Sequence, residues 1–389
     1  MKFVRPITVT EGMIVSYTLP ETDYPAWSSS TVYSIGDRVI DTTTHRVYES
    51  LRGEKNTDVS ITIASPAVIA WTAHTLEANS KVRFSTTGAL PTGITAGTDY
   101  YVSATGLSPN SFSISATAGG TQINTTGTQS GTHTAIEILN VNFDPTDPDN
   151  TATGSTVTDT TMWLEVGGTN KWRVFDQQSV EQTENTDIIE ISLIPGRFDT
   201  IGFLNVEADD ITVTITDPTE GVVFDETRDT VLANVYDWYD YFFEPVIRST
   251  KVVFENLPIY GAATLEITMT ASGSTVKCAE IIMGLSRSLG DTQWGVRIGA
   301  TDYSRKDENA FGNIVLRQGT FHDRMELNAF VLNELVDETV RLLNQYRATP
   351  MLYVAGTYAS TVVFGFHDDY DTVLQSPAGS FLSLSIKGL

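Results

Sequence analysis

Two stretches of the sequence bring acidic side chains close enough together to do chemistry. The first is "HDDYD", in which His367 precedes three aspartates, Asp368, Asp369 and Asp371. Such a group could hold a metal ion or work as an acid and a base. Alternating side chains of a β-strand point to opposite faces, however, so the favoured interpretation is an exposed loop or strand end.

The second acidic stretch is "NFDPTDPDN" (142–150), which carries Asp144, Asp147 and Asp149. Carboxylates and carbonyls of a loop are ligands that calcium uses. The stretch lacks the glycine and the final glutamate of an EF-hand loop. A solvated hinge is therefore preferred over a calcium site.

Signatures of catalysis are absent from the rest of the sequence. The five histidines do not stand at metal-ligand spacing, and there is no glycine-rich phosphate loop, Ser-His-Asp neighbourhood or Cys-His pair. The single cysteine, Cys278, excludes an internal disulfide and is expected to be a buried apolar residue. We expect a protein that is not an enzyme and uses no cofactor. A glycosidase-type carboxylate pair stays an alternative, because Asp and Glu are abundant throughout.

Composition limits the class of protein further. The chain has 389 residues, 41% of them hydrophobic, and a formal net charge of −24. This length predicts two to four globular domains. The acidic surface excludes nucleic acid as a partner, and no apolar run is long enough for membrane insertion. The N-terminal "MKFVRPITVTEGM" lacks the apolar core of a secretory signal, so synthesis in the cytoplasm is expected.

Apolar and polar residues alternate along most of the chain, which predicts a mainly β fold. One helix is predicted over 332–347, with Asn333 as its N-cap and Pro350 just beyond its end. The clearest alternating segments are 45–51, 81–88, 111–119, 211–217, 251–257, 264–273 and 381–389.

Four domains are predicted from these patterns. One is a split module made of residues 1–59 plus 142–175, and residues 60–141 form a β domain inserted into it. Residues 176–290 form a β-sandwich with short strands and turns. Residues 291–389 form an α+β domain in β-α-β-β-β order, with one helix across an antiparallel sheet.

The split module resembles the small chitin-binding type of carbohydrate-binding module. The resemblance implies that Trp27, Tyr33, Tyr48 and Trp163 are candidate sugar-binding residues, because exposed aromatic rings stack on sugar faces. The alternative is that the same aromatics form the core of a small hairpin domain, which has few other residues to bury. The residues that carry the resemblance are Trp27, Tyr33, Gly36, Asp37, Val39, Val47, Tyr48 and Trp163.

The inserted segment is similar to a mobile β module that recurs in tail and decoration proteins of tailed bacteriophages. Its marks are "LPTGITAGTDYYV", "NSFSISATAGG" and "TGTQSGTHT". Its ends, near residues 60 and 141, must lie close together if it interrupts a surface loop without breaking the host domain.

The remaining segments resemble minor tail or baseplate proteins of long-tailed phages. "WLEVGGTNKWRVFD" (163–176), "ISLIPGRFDTIGFLNV" (191–206) and the C-terminal 292–389 carry this resemblance. It implies a galactose-binding-type jelly roll for the sandwich, a place in the virion tail, and other tail or baseplate proteins as partners. It also implies a homo-oligomeric ring that contacts a host-surface glycan through several weak sites.

Two other functions stay open. One is a depolymerase or hydrolase of surface glycans, and the other is a structural ring or decoration subunit without sugar binding. The aromatic run "YDWYDYFFEP" (236–245) is a binding lip or subunit contact, or else a sandwich loop folded onto its own core.

Overall fold

The computed structural model of the chain is mainly β, with 51% strand and 7% helix. It describes residues 1–29, 31, 33–51, 55–138, 144–148, 151–153, 162–178, 181–232, 237–243, 247–308, 314–377 and 379–389. The chain divides into two compact units. The larger unit is Met1–Glu21 with Asn170–Leu389, and the smaller unit is Thr22–Thr169.

Residues 1–21 therefore lie outside the split module to which the sequence assigned them. The first strand, β1 (Lys2–Val4), pairs with the strands Ser286–Ser288 and Met351–Val354. A second strand, β2 (Ile14–Tyr17), pairs with the sandwich. These pairings join residues more than a hundred positions apart, so local sequence patterns carry no sign of them.

The segment predicted as a sandwich, 176–290, forms together with β2 one antiparallel sheet of seven described strands around a single apolar core, and the name sandwich is kept for it below. Its longest strand, Thr264–Gly284, pairs with Asp210–Asp217 along its first half and with Thr200–Glu207 along its second half. Apolar side chains from both halves, such as Ile267 and Phe203, pack in one buried cluster. Its strands are β2, β14 (Thr183–Leu193), β15 (Thr200–Glu207), β16 (Asp210–Asp217), β17 (Gly221–Asp229), β20 (Lys251–Phe254) and β21 (Thr264–Gly284).

The C-terminal part of the larger unit is a second antiparallel sheet. Besides β1, its described strands are β22 (Ser286–Ser288), β23 (Asp291–Thr292), β24 (Arg297–Asp302), β27 (Phe321–Val331), β28 (Met351–Val354), β29 (Val362–Val373) and β30 (Ser380–Gly388). They follow the spatial order β22-β1-β28-β29-β30-β27-β23, and β24 also pairs with β27.

This sheet is covered on both faces at its centre. Helix α2 (Val336–Gln345) packs on one face through Leu343, and the sandwich packs on the other through Leu204 and Ile282. All four residues of β28 are consequently buried, which explains their uninterrupted apolar run. The predicted β-α-β-β-β order is present in β27, α2, β28, β29 and β30.

The helix differs from its prediction at its start. A 3-10 turn, Asn333–Leu335, precedes α2, and no side chain caps either element. The Asn333 amide instead donates to the Ser376 carbonyl at 2.8 Å and accepts from Ser380 Oγ at 2.7 Å. The N-cap prediction for Asn333 was wrong, because this side chain is bonded to Ser376 and Ser380.

The larger unit also carries three short elements outside both sheets. Two are two-stranded ribbons, and the third is the six-residue helix α1 (Trp238–Phe243). The ribbons are β18 (Val231–Leu232) with β19 (Ile247–Arg248), and β25 (Arg305–Glu308) with β26 (Ile314–Arg317).

The smaller unit contains the split module and the inserted domain. The described strands of the split module are β3 (Arg38–Asp41), β4 (Arg46–Ser50), β12 (Thr151–Thr153) and β13 (Trp163–Gly168). Strand β13 pairs with β4 across the insertion, so the two separated segments share one sheet.

The inserted domain starts at residue 55, earlier than the predicted residue 60. Its first strand pairs antiparallel with its last, so that Lys55 lies opposite Glu137. The two ends of the insertion are therefore neighbours, as a surface-loop insertion requires. Its strands are β5 (Lys55–Ile61), β6 (Ile69–Ala70), β7 (Lys81–Thr86), β8 (Asp99–Val102), β9 (Ser111–Phe112), β10 (Ile114–Ser115) and β11 (His133–Ile138).

Candidate functional site

The candidate sugar-binding aromatics form the core of the split module. Tyr33, Tyr48 and Trp163 are buried around Val39, and the rings of Tyr33 and Trp163 meet edge to face at 5.2 Å. The hydroxyl groups of Tyr33 and Tyr48 also have polar partners within the module. Tyr33 Oη accepts from the Ser28 amide at 2.7 Å, and Tyr48 Oη lies 3.3 Å from Thr44 Oγ1.

This burial favours the core alternative for three of the four aromatics. A sugar can stack only on an exposed ring face, and these rings are covered by protein. Burial is also the first cause of the raised pKa of the Tyr48 hydroxyl. Trp27 alone is half-buried, although its Nε1 is enclosed without a hydrogen-bond partner among the described residues.

The acidic loop at 142–150 is partly described. Asp144 uses its carboxylate within the loop, accepting from the Thr146 amide at 2.8 Å and from Thr146 Oγ1 at 2.7 Å. Asp147 donates its amide to the Asp144 carbonyl at 3.2 Å. Asp149 lies outside the described residues. Within the part of the chain that is described, no three histidine, cysteine or acidic residues form a group able to hold a metal.

The "HDDYD" stretch separates its side chains between two sides of the sheet. His367 is buried, its Nδ1 lies 3.1 Å from Tyr353 Oη, and burial lowers its pKa. Asp368 forms an ion pair with Lys387 at 2.8 Å, and Asp369 is exposed. These groups do not converge on one point, so they do not form an acid–base pair or a metal site.

Among the carboxyl groups of the described residues, the largest change in pKa belongs to Glu280, which the sequence analysis did not single out. Glu280 is 1% exposed within the apolar run "CAEIIMG", and burial, with the nearby Asp176 carboxylate, raises its pKa to about 9. The signal was present, because a glutamate inside an apolar strand run is unusual. Its burial keeps it from a substrate. Cys278, two residues earlier, is buried as predicted.

Exposed aromatic side chains are concentrated on α1. Trp238, Tyr239, Phe242 and Phe243 are all largely exposed. They pair one helical turn apart, with Trp238 stacked on Phe242 at 6.4 Å and Tyr239 beside Phe243 at 4.9 Å. The described part of the 236–245 run is thus a surface patch and is not packed on the sandwich core.

The ribbon of β25 and β26 also exposes apolar side chains. Every residue of β26 is exposed, including Ile314, Val315 and Leu316, and Leu316 is 78% exposed. The strand opposite is charged. Leu316 faces Lys306, and Arg317 forms an ion pair with Asp307 at 3.0 Å.

A third surface feature is a groove on the open side of the C-terminal sheet. It has a volume of about 460 Å³, and the Trp294 indole beside it is 99% exposed. Polar side chains of the neighbouring strands complete it, among them Asn328, Asp371 and Ser383. Ser383 Oγ donates to Asn328 Oδ1 at 2.6 Å, which fixes the amide. An exposed ring with fixed polar groups is the arrangement that the buried aromatics of the split module lack.

No family model matches the sequence, and no curated protein matches it either. Among the described residues, no helix is long and apolar enough to cross a membrane.

Proposed function

We propose that this chain is a structural, non-enzymatic component of a bacteriophage tail tip or baseplate that assembles into a homo-oligomeric ring. Its partners are copies of itself and other tail or baseplate proteins, and it is synthesised in the host cytoplasm before entering the virion. The proposal rests on the sequence resemblances and on one observation, the exposed apolar ribbon of β25 and β26.

The ribbon is poorly suited to a free monomer. An isolated two-stranded ribbon is at best marginally stable in water, and burial of each exposed Ile or Leu side chain is worth about 1.5–3 kcal/mol. Ile314 and Leu316 project from the same face of β26. A neighbouring subunit that covers this face recovers that free energy, and a head-to-tail contact of this kind repeats around a ring.

Size-exclusion chromatography with light scattering measures the mass of the oligomer, and cryo-electron imaging shows whether it is a closed ring. The wild-type chain is expected to elute as a closed oligomer, and Leu316→Asp as a monomer that keeps the circular dichroism spectrum of the folded wild-type chain. Val222→Asp is the matched control, because Val222 is an exposed apolar residue on the sandwich edge strand β17. A monomeric wild-type chain that is absent from phage particles would contradict the proposal.

Glycan binding is a second part of the proposed function, and the Trp294 groove is the observation that supports it. Several copies per ring would turn weak contacts into useful avidity. Trp294→Ala is expected to weaken attachment of the ring to host cells without lowering its melting temperature. Equal attachment by wild type and variant would leave a purely structural ring subunit. Release of sugar from purified host polysaccharide by the wild-type protein would favour a depolymerase instead.

A further inference from the structure

Three arginines line one groove in the larger unit. The groove has a volume of about 380 Å³ and lies where the start of the chain passes the end of α2. Arg5, Arg197 and Arg287 line it, and its apolar lining includes Leu285 and Tyr346.

Elements distant in sequence bring these arginines together. Arg287 of the edge strand β22 lies opposite Phe3 of β1, so their side chains are on the same side of the sheet. Arg5 follows two residues after Phe3, and both side chains contact the Tyr346 ring, which places Arg5 on that side too. Gly284 makes this possible, because a Cβ at that position would lie 2.1 Å from the Arg5 carbonyl oxygen. Arg197 comes from the turn between β14 and β15, directly after Gly196 with φ +84°.

The charge of this groove is opposite to that of the molecule. Acidic residues outnumber basic ones 48 to 24, and several arginines elsewhere in the chain form ion pairs with acidic side chains. Arg83, for example, pairs with Asp99 at 2.7 Å, and Arg38 with Glu49 at 2.8 Å. Among the described residues, none forms an ion pair or side-chain hydrogen bond with the guanidinium of Arg5, Arg197 or Arg287.

The chemistry of the walls defines the ligand. Guanidinium groups bind carboxylate and phosphate oxygens through paired N–H donors. Arg5 lies over the Tyr346 ring at 5.8 Å, and this contact limits the freedom of its side chain. The ring of Tyr346 and the side chain of Leu285 supply an apolar wall for the body of a ligand. The volume suits a small molecule or one or two sugar residues.

We propose that this groove is a binding site for an anionic sugar, with the arginines holding its carboxylate or phosphate and Tyr346 contacting its ring. Screening confines the repulsion from the distant acidic surface, since the Debye length is about 8 Å at physiological salt. The site depends neither on the ring nor on the Trp294 groove.

Titration calorimetry of the full chain with glucuronate, glucose 6-phosphate and glucose tests this site. Both anionic sugars are expected to bind more tightly than glucose, and the affinity to fall as salt rises. Arg197→Gln and Arg287→Gln are each expected to weaken binding about tenfold, the loss typical of one charged hydrogen bond. Arg341→Gln is the matched control, because Arg341 is an exposed arginine of α2 that does not line the groove.

The same titrations show whether the ligand's anionic group is a carboxylate or a phosphate. Preference for glucuronate indicates a sugar acid, and preference for glucose 6-phosphate indicates a sugar phosphate. Equal affinity for glucose and the anionic sugars would overturn the proposal, as would equal losses in Arg197→Gln and Arg341→Gln. Inorganic phosphate binding as tightly as glucose 6-phosphate would also overturn it, since Tyr346 would then contribute nothing. Unchanged melting temperatures of the variants exclude misfolding, and the oligomer mass tests the ring separately.

Discussion

Glu280 couples the stability of the sandwich to pH. Its pKa of about 9 in the folded chain lies above its ordinary value of 4.5, so the folded state keeps a proton that the unfolded state loses. Below pH 4.5 both states are protonated and this contribution is fully present. Between pH 4.5 and about 9 it decreases as pH rises, by at most about 1.4 kcal/mol per pH unit.

Replacing Glu280 by Gln is therefore expected to remove this dependence. Urea unfolding at pH 5, 6.5 and 8 should show a gain in stability of the variant over wild type that grows with pH. Glu266→Gln is the control, because Glu266 is an exposed glutamate of the same strand, β21. A difference between E280Q and wild type that is constant across the three pH values would disprove the assigned proton.

The aromatics of the split module make a second prediction at this scale. Trp163 is fully buried between β4 and β12, so Trp163→Ala is expected to cost about 3–5 kcal/mol in the unfolding of the smaller unit. Trp27→Ala should cost clearly less, because Trp27 is only half-buried. Chemical denaturation followed by near-UV circular dichroism measures both. If Trp163→Ala lost little stability but no longer attached to cells, the Trp163 indole would bind sugar and would not be a core residue.

Residue types alone did not distinguish these roles. A buried aromatic core and an exposed sugar platform both require Trp and Tyr around a Gly-Asp turn, and the difference is the direction in which the rings point. That direction depends on the pairing of β4 with β13 across the inserted domain. The groove arginines were missed for the same reason, since Arg5, Arg197 and Arg287 meet only after long-range pairing.

At the scale of elements, periodicity predicted strands and the helix well where one face is buried. The strand β30, Ser380–Gly388, alternates buried and open residues as its sequence does. The helical stripe was less uniform than predicted. Thr339 and Leu343 are buried, but Leu332 and Leu335 remain about half exposed, because both lie before the start of α2, Leu332 in extended backbone and Leu335 in the 3-10 turn.

The helix gives a prediction with an internal control. Leu343→Ala should destabilise the larger unit by about 2–5 kcal/mol, because Leu343 is 1% exposed in the core between α2 and the sheet. Leu335→Ala should cost below about 0.5 kcal/mol, because this residue is 45% exposed. Thermal unfolding of the two variants checks the difference. Similar losses would mean that α2 packs in another orientation.

At the scale of the whole molecule, the sequence predicted the interruption of the split module but not the path of the chain termini. Turn-rich composition marked the inserted segment, and the need for adjacent ends followed from the physics of insertion. The pairing of β1 with β28 leaves no local pattern, because any edge of a sheet can accept a three-residue strand. The N-terminal segment therefore had to be seen in the fold before it could be assigned to the larger unit.

The inserted domain is expected to be removable. Lys55 and Glu137 lie opposite each other in adjacent antiparallel strands, where paired Cα atoms are about 4.5–5.5 Å apart. A short Gly-Ser linker in place of residues 56–136 can join Lys55 to Glu137 across that gap with little entropic cost. The core of Tyr33, Tyr48 and Trp163 contains no residue of the insert, so the shortened chain should keep it.

The oligomer mass and the melting temperature of the shortened chain show whether the rest of the protein folds and assembles without the inserted domain. Its larger unit should melt at the wild-type temperature, and its oligomer should keep the same number of subunits, because β25 and β26 belong to the larger unit. As a control, the same linker in place of residues 69–112 removes β6, β7, β8 and β9, the strands that flank β5 and β11 in the inserted sheet, and should unfold that domain. A shortened chain that aggregates, or that forms no ring while Val222→Asp does, would show that the inserted domain is part of the assembly.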